Sequence, residues 1–187
     1  LARKYKVPVF CSHGTSMHEG LGKIPSLKVL DSHQSFQIQD LHVTPVVVPH
    51  DAREPTQFVV QCEDFKFGIL TDLGSLTPHI IEQYNGCHAM LVETNHDQAM
   101  LRVGPYPPKL KVRVGGHLGH LNNAQAGQFL AAVDTSNLQH VVATHISEQN
   151  NQIDFALEHI CKSLNCDPDW VEVANQSNGF EWKHITR

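Results

Sequence analysis

Residues 89–97 read AMLVETNHD: a short apolar run that suits a buried strand, closed by an acid, an amide, an imidazole and a second acid. Three more runs are built the same way. Val46-Val47-Val48 leads into Pro49-His50-Asp51, Ile69-Leu70-Thr71 into Asp72-Leu73-Gly74, and Val141-Val142-Ala143-Thr144 into His145-Ile146-Ser147. Each alone has a bland explanation, since a His after a strand is commonly structural and an Asp near a Gly is a common turn former. Four together point further. Buried strands would hold a His, Asp or Glu rigidly at their C-terminal ends, as a metal site requires, and imidazole with carboxylate suits Zn or Mn.

Working outward, the first half of the chain reads mainly as strands. Residues 1–6 suit a helix end and 7–10 a strand. Residues 27–30, 35–38 and 41–48 are β-rich, and residues 58–62 and 67–71 form a hairpin pattern. Helices enter later. Thr77-Pro78 is an N-cap with proline at the first helical position, opening a helix to about Tyr84. Asn122 or Asn123 can cap residues 124–133, and residues 151–164 carry an apolar helical stripe. Residues 170–174 and 180–184 return to strand. Early strands followed by alternating helices and strands predict an α/β sandwich in a single domain spanning residues 1–187.

Composition narrows the class. A 187-residue chain with 41% hydrophobic and 18% charged residues can bury a core and is not disordered. No apolar run is long enough to cross a bilayer, so no membrane partner is expected. The five cysteines include no CxxC pair, which favours a reducing, cytoplasmic setting over a disulfide framework. Fourteen histidines exceed ordinary usage and raise the prospect of metal binding only where spacing supports it. The net charge of −5 exerts no general pull on nucleic acid, yet residues 98–133 contain no acid and carry Arg102, Lys109, Lys111 and Arg113. A basic lip of this kind would attract a phosphate backbone, or else be a solvated face. Within it Leu110, Val112 and Val114 alternate at a strand period.

The segments PHDAREPTQF, GILTDLG, LVETNHD, RVGPYPPKLK, GGHLGHLNNAQA and VVATHISEQNN, in this order, resemble the metallo-β-lactamase superfamily, and within it the YycJ (WalJ) branch near RNase Z and the PhnP-type phosphodiesterases. The resemblance runs from residue 1 to about 182, and TDLG, ETNHD and GHLxN together are specific to that branch. It implies a four-layer αββα sandwich, a helix rather than a strand where Leu110, Val112 and Val114 alternate, and a two-metal site at one edge of the sheets. It further implies that His50 binds a metal, that Asp72 bridges two metals, that His145 binds the second, and that His120 sits beside the substrate phosphate. Asn95, Glu93, His96 and Asp97 would then orient the ligands, with a helix N-cap cluster as the competing explanation for 95–97.

The family's main metal motif, HxHxDH, does not occur in the chain. The resemblance places it just before Leu1, so the chain is expected to be the C-terminal part of the fold, incomplete at its N-terminus and supplying part of the metal site. The expected activity is phosphodiester hydrolysis of nucleic acid, as a phosphodiesterase or exonuclease, or of a small phosphodiester. Two divalent ions, Zn or Mn, would activate a hydroxide, and His120 would protonate the leaving group. Two alternatives stand beside it: hydrolysis of a thioester or lactam in the same fold, and a non-catalytic fragment without a complete metal site.

Overall fold

The computed structural model describes residues 1–177 and 179–187. A short helix α1 (Ala2–Tyr5) leads into β1 (Val9–Ser12), helix α2 (His13–Ser16) and β2 (Leu27–Leu30), which pairs parallel with β1. The rest of the chain builds one seven-stranded sheet. Its strands, in both chain and spatial order, are β3 (Phe36–Ile38), β4 (Leu41–Val47), β5 (Thr56–Cys62), β6 (Phe65–Leu70), β7 (Ala89–Glu93), β8 (His140–Thr144) and β9 (Glu172–Val173). Helices α3 (Pro78–Tyr84), α4 (Gln98–Val103), α5 (Pro108–Val114), α6 (Asn123–Ala132) and α7 (Ile153–Leu164) fill the connections.

Strand direction decides where the functional groups go. The pairings β3–β4, β4–β5 and β5–β6 are antiparallel, and β6–β7, β7–β8 and β8–β9 are parallel. Two antiparallel steps restore the original direction, so β4 runs with β6, β7 and β8. All four strands singled out by their polar ends therefore finish at the same sheet edge, where ligands of α/β sheets bind.

One sheet face is sealed by α3, α6 and α7. Val46, Leu70, Met90, Val92, Val141 and Ala143 point into that layer and pack with Ile80, Tyr84, Phe129, Leu130 and Ile160 in one buried cluster. Tyr84 lies edge-on to Phe129 with ring centroids 5.7 Å apart, and its hydroxyl donates to the Ile69 carbonyl. Gly68 makes room for that ring: a Cβ there would lie 2.6 Å from Tyr84. The caps follow the sequence. Thr77 accepts from the Ile80 N–H, and Asn122 with Gln125 forms a reciprocal capping box.

Two expectations need correction, and a third is borne out. Residues 180–184 form no strand; they cross the open sheet face, where Phe180 and Ile185 lie over Phe67, Leu91 and Val142 around a cavity of about 350 Å³, with Trp182 exposed at its rim. Side chains rather than a backbone ladder hold this tail. Gln139 donates to the Thr186 carbonyl at 2.6 Å, and the His140 Nε2 donates to the His184 carbonyl at 2.9 Å. The alternation of residues 110–114 is a helix, as the family resemblance implied: α5 is opened by Pro108 at its first position, and Val112 is exposed, so no strand face buries all three. Finally, α7 begins at Ile153 rather than 151, because the buried Asn151 is engaged elsewhere.

Gly68→Ala is expected to lower the unfolding free energy by about 1–3 kcal/mol through overpacking against Tyr84. Urea unfolding checks this, and an unchanged midpoint would mean the ring is free to shift.

Candidate metal centre

Glu93 ends β7 and is fully buried. Its Oε1 accepts from His120 Nδ1 at 2.8 Å and from His145 Nδ1 at 2.7 Å. Its Oε2 accepts from the Leu73 and Leu121 backbone N–H groups, each at 3.2 Å. Burial alone would raise this carboxyl's pKa, but the bonds from His120 and His145 outweigh it and hold the group below its ordinary value. With four donors on two oxygens the carboxylate is saturated. Because a carboxylate only accepts, both rings carry their proton on Nδ1, and in each Nε2 is the nitrogen left with a lone pair. Glu93 in turn raises the pKa of His145 through that bond, against the opposing effect of burial.

His50 is oriented by a different acceptor with the same result. Its Nδ1 donates to the Gly119 carbonyl at 2.9 Å, and its Nε2 lies 4.0 Å from Asp72 Oδ1. The same Asp72 oxygen is 3.9 Å from His120 Nδ1 and 3.7 Å from His145 Nδ1. The three imidazoles stand edge-on in a row, with centroids 5.1 Å apart for His50–His120 and 5.0 Å for His120–His145. One ligand-capable atom from each of Asp72, Glu93, His120 and His145 lies within 4.8 Å of the others, a grouping of His, Cys, Asp and Glu found once among the described residues.

Local backbone explains the convergence. Asp72 and His145 both adopt left-handed conformations, with φ of 54° and 55°, which turn the chain sharply as it leaves β6 and β8. The TDLG turn is packed directly on the GHLGH loop. A Cβ on Gly74 would strike the backbone of Gly116 and Gly119, and a Cβ on Gly119 would strike the Arg113 and Val114 carbonyls. Glycine at both positions lets the loop carrying His120 close onto Asp72.

The residues around the cluster divide by what they touch. Asn95 donates from Nδ2 to the His145 carbonyl at 2.9 Å and so fixes that residue's backbone. Asp97 caps α4 by accepting from the Met100 N–H at 2.8 Å; it is a helix cap, not a group orienting the imidazoles. The His96 ring is buried, its Nδ1 has no partner, and burial pulls its pKa down to about 4 against the attraction of Glu93. The expected basic lip is divided. Arg113 forks onto Asp51, the neighbour of His50. Lys111 donates from Nζ to the Arg102 carbonyl at 2.8 Å, and both residues line a separate depression with Pro108 and Val112. Lys109 is exposed on α5. Sequence reasoning missed the Arg113–Asp51 fork and the Gly74–Gly119 contact; the paired glycines in TDLG and GHLGH were the available signal for the second.

Two cavities open from the cluster and share His145. One, of about 830 Å³, is lined by Thr71, Asp72, Asn151, Val173 and Asn175 among others. The other, of about 340 Å³, lies on the His120 side.

The family described as the β-lactamase superfamily domain matches residues 2–146. The chain belongs to the metallo-β-lactamase superfamily. Among curated proteins it is 32% identical over 172 residues to the exodeoxyribonuclease YycJ of Bacillus anthracis, covering 88% of this chain and 64% of that protein. It is 28% identical over 157 residues to the exodeoxyribonuclease WalJ of Streptococcus pneumoniae, covering 81% and 58% respectively. The chain thus spans about three fifths of the length of these relatives. Among solved structures it resembles the metallo-β-lactamase fold protein YhfI of Bacillus subtilis (TM-score 0.68, 14% identity, covering 94% of this chain and 65% of that one). It also resembles Zn²⁺-bound PqqB of Methylobacterium extorquens (TM-score 0.62, 15% identity, covering 92% and 64%). At these identities the structural likeness establishes the fold. No helix among the described residues is long and apolar enough to cross a membrane.

Two outcomes follow for the metal-free protein. Glu93→Gln turns two of the four buried acceptor sites into donors facing donors, and is expected to cost about 2–4 kcal/mol in urea unfolding; a loss under 1 kcal/mol would show that the carboxylate is not the anchor. His96 refuses a proton in the folded state that it accepts when unfolded. Stability is therefore lost as pH falls from about 6.5 to about 4, by up to about 3 kcal/mol. The difference in unfolding free energy between the wild type and His96→Gln should shift in favour of the variant across that window, and a pH-independent difference would contradict it.

Proposed function

We propose that this chain carries the metal-binding edge of a metal-dependent phosphodiesterase that removes nucleotides from the ends of DNA. The observation that carries the proposal is the locking of three imidazoles by their Nδ1 atoms, His120 and His145 on Glu93 and His50 on the Gly119 carbonyl, around one Asp72 oxygen. Neutral imidazole with a fixed tautomer, beside a half-exposed carboxylate, is the donor set that Zn²⁺ or Mn²⁺ takes. In this reading His50, Asp72 and His145 would hold divalent metal, Asp72 serving as the shared carboxylate. Bound in a pair, the ions lower the pKa of water toward neutrality and offset charge on the phosphoryl group.

The protein groups do the rest. Glu93 and the Gly119 carbonyl hold the rings in one tautomer. His120 meets the phosphate through its free nitrogen and, when protonated, gives that proton to the departing oxygen. Of the four basic residues, Arg113 has the best claim on substrate phosphate, since its fork on Asp51 ties it to the His50 segment while Arg102 and Lys111 face another depression. The choice of DNA rests on the two exodeoxyribonucleases to which the chain is similar.

Elemental analysis of protein dialysed with Zn²⁺ or Mn²⁺ tests the ligand set. His50→Ala, Asp72→Asn and His145→Ala should each lower bound metal by about 10-fold or more in affinity, and Glu93→Gln by about 10- to 100-fold. His120→Ala should keep the metal and lose about 100-fold or more in cleavage of end-labelled DNA. If wild-type protein binds neither ion, or if His120→Ala abolishes metal binding, the roles assigned here are wrong. A thioester or lactam substrate turned over in place of DNA would move the activity within the fold.

A further inference from the structure

The cavity of about 340 Å³ beside His120 differs in chemistry from the cluster that it adjoins. Apart from His120 and His145, Glu148 is the one charged or titrating residue type besides Tyr106 on its wall, and no Lys or Arg lines it. Asn95, Val114 and Gln149 give it amide and aliphatic surface, and Tyr106 gives it one large aromatic ring. Such a wall suits an uncharged planar group rather than a phosphate.

Tyr106 is also held unusually firmly for a loop residue. It stands between Pro105 and Pro107, in the connection from α4 to α5. Proline fixes φ on both sides and restricts the residue before it to extended backbone. Gly104 lies so close to Asn150 and to the Met100 carbonyl that no Cβ would fit, and the Lys111 bond to the Arg102 carbonyl ties the two helices together. The ring is half-buried, and its hydroxyl has no hydrogen-bond partner among the described residues. A flat apolar surface is thus displayed at small entropic cost, one cavity-width from the imidazole assigned to the phosphate.

We infer that Tyr106 is a stacking platform for the base of the nucleotide that adjoins the scissile phosphate. This rests on the reading of the chain as a DNA phosphodiesterase and deepens it: the small cavity takes one nucleobase, and Tyr106 is a specificity-determining residue that distinguishes a terminal nucleotide with a base from one without. Stacking on an aromatic ring tolerates any base, because every base offers a π-face.

The test is binding of short fluorescein-labelled single-stranded DNA to the Mn²⁺-loaded protein, followed by anisotropy. A phosphorothioate at the terminal linkages slows cleavage. Oligonucleotides with a complete terminal nucleotide are compared with ones whose 5′ or 3′ terminal residue is abasic. For the wild type and for Tyr106→Phe, removing the base at one end should weaken binding by roughly 5- to 100-fold. For Tyr106→Ala the penalty should vanish. Equal discrimination in the wild type and Tyr106→Ala overturns the stacking role while leaving the DNA reading intact. Discrimination lost in Tyr106→Phe would assign the effect to the hydroxyl and overturn the platform. Failure of the wild type to bind any of the oligonucleotides removes the DNA reading, and the inference falls with it.

Discussion

The arrangement of the candidate site depends on one buried carboxylate. Removing Glu93 from water is costly, and a carboxylate with no exposed surface persists only if its oxygens are fully hydrogen-bonded. Here the four donors come from three places in the chain: the turn after β6, the loop before α6, which supplies both the Leu121 N–H and the ring of His120, and the ring of His145 at the end of β8. Satisfying Glu93 therefore fastens together the TDLG turn, the GHLGH loop and the end of β8. The group that does not itself reach outward sets the position of those that do.

The second constraint is close approach of backbone to backbone. His120 can share Asp72 with His145 because Gly74 and Gly119 allow two loops to touch without side chains between them. Asp72 and His145 accept left-handed conformations at strand ends, which Asp and His tolerate better than β-branched residues do. The cost of those conformations falls on a framework of parallel strands whose cores are completely buried, and that framework can bear it.

Much of this was legible in the chain. The four apolar runs with polar C-terminal ends are strands β4, β6, β7 and β8, and the sheet brings their ends together as expected. Short buried strands are readable because their length, composition and polar termination are local properties. What resisted reading depends on partners distant in sequence. The resemblance gave Glu93 an orienting role among several residues at the end of β7, but which groups it holds appears only when residues 73, 120, 121 and 145 surround it. Asp97 belongs to a helix start that the sequence offered beside a ligand-orienting role, and only the placement of the Met100 N–H decides between them. The four basic residues of 98–133 looked like one lip because charge is visible in sequence and direction is not. The fork of Arg113 on Asp51 and the turn of Lys111 toward α4 are set by helix geometry. The tail over 180–184 alternates like a strand, yet it packs across the face of a sheet, which local patterning cannot distinguish from pairing at its edge.

Behind the imidazoles lies a polar layer that explains why so many amides are buried in a chain of this size. Asn123 and Asn151 exchange side-chain bonds of 2.8 and 2.9 Å, Asn151 also donates to the Thr94 carbonyl at 2.7 Å, and Asn95 fixes the His145 backbone. An aliphatic packing of the same volume would be easier to solvate correctly but would not specify register, whereas amide pairs are satisfied in one arrangement only. These bonds join the ends of β7 and β8 to the starts of α6 and α7, the four elements between which the site is built. Thr94 Oγ1, His96 Nδ1 and the Asn150 amide remain unpaired within the same layer. Buried polar atoms of this kind are the usual partners of internal water. The layer's rigidity then comes from hydrogen bonds that stay satisfied in only one geometry, and through Asn95 it fixes the backbone of His145, whose ring Glu93 orients.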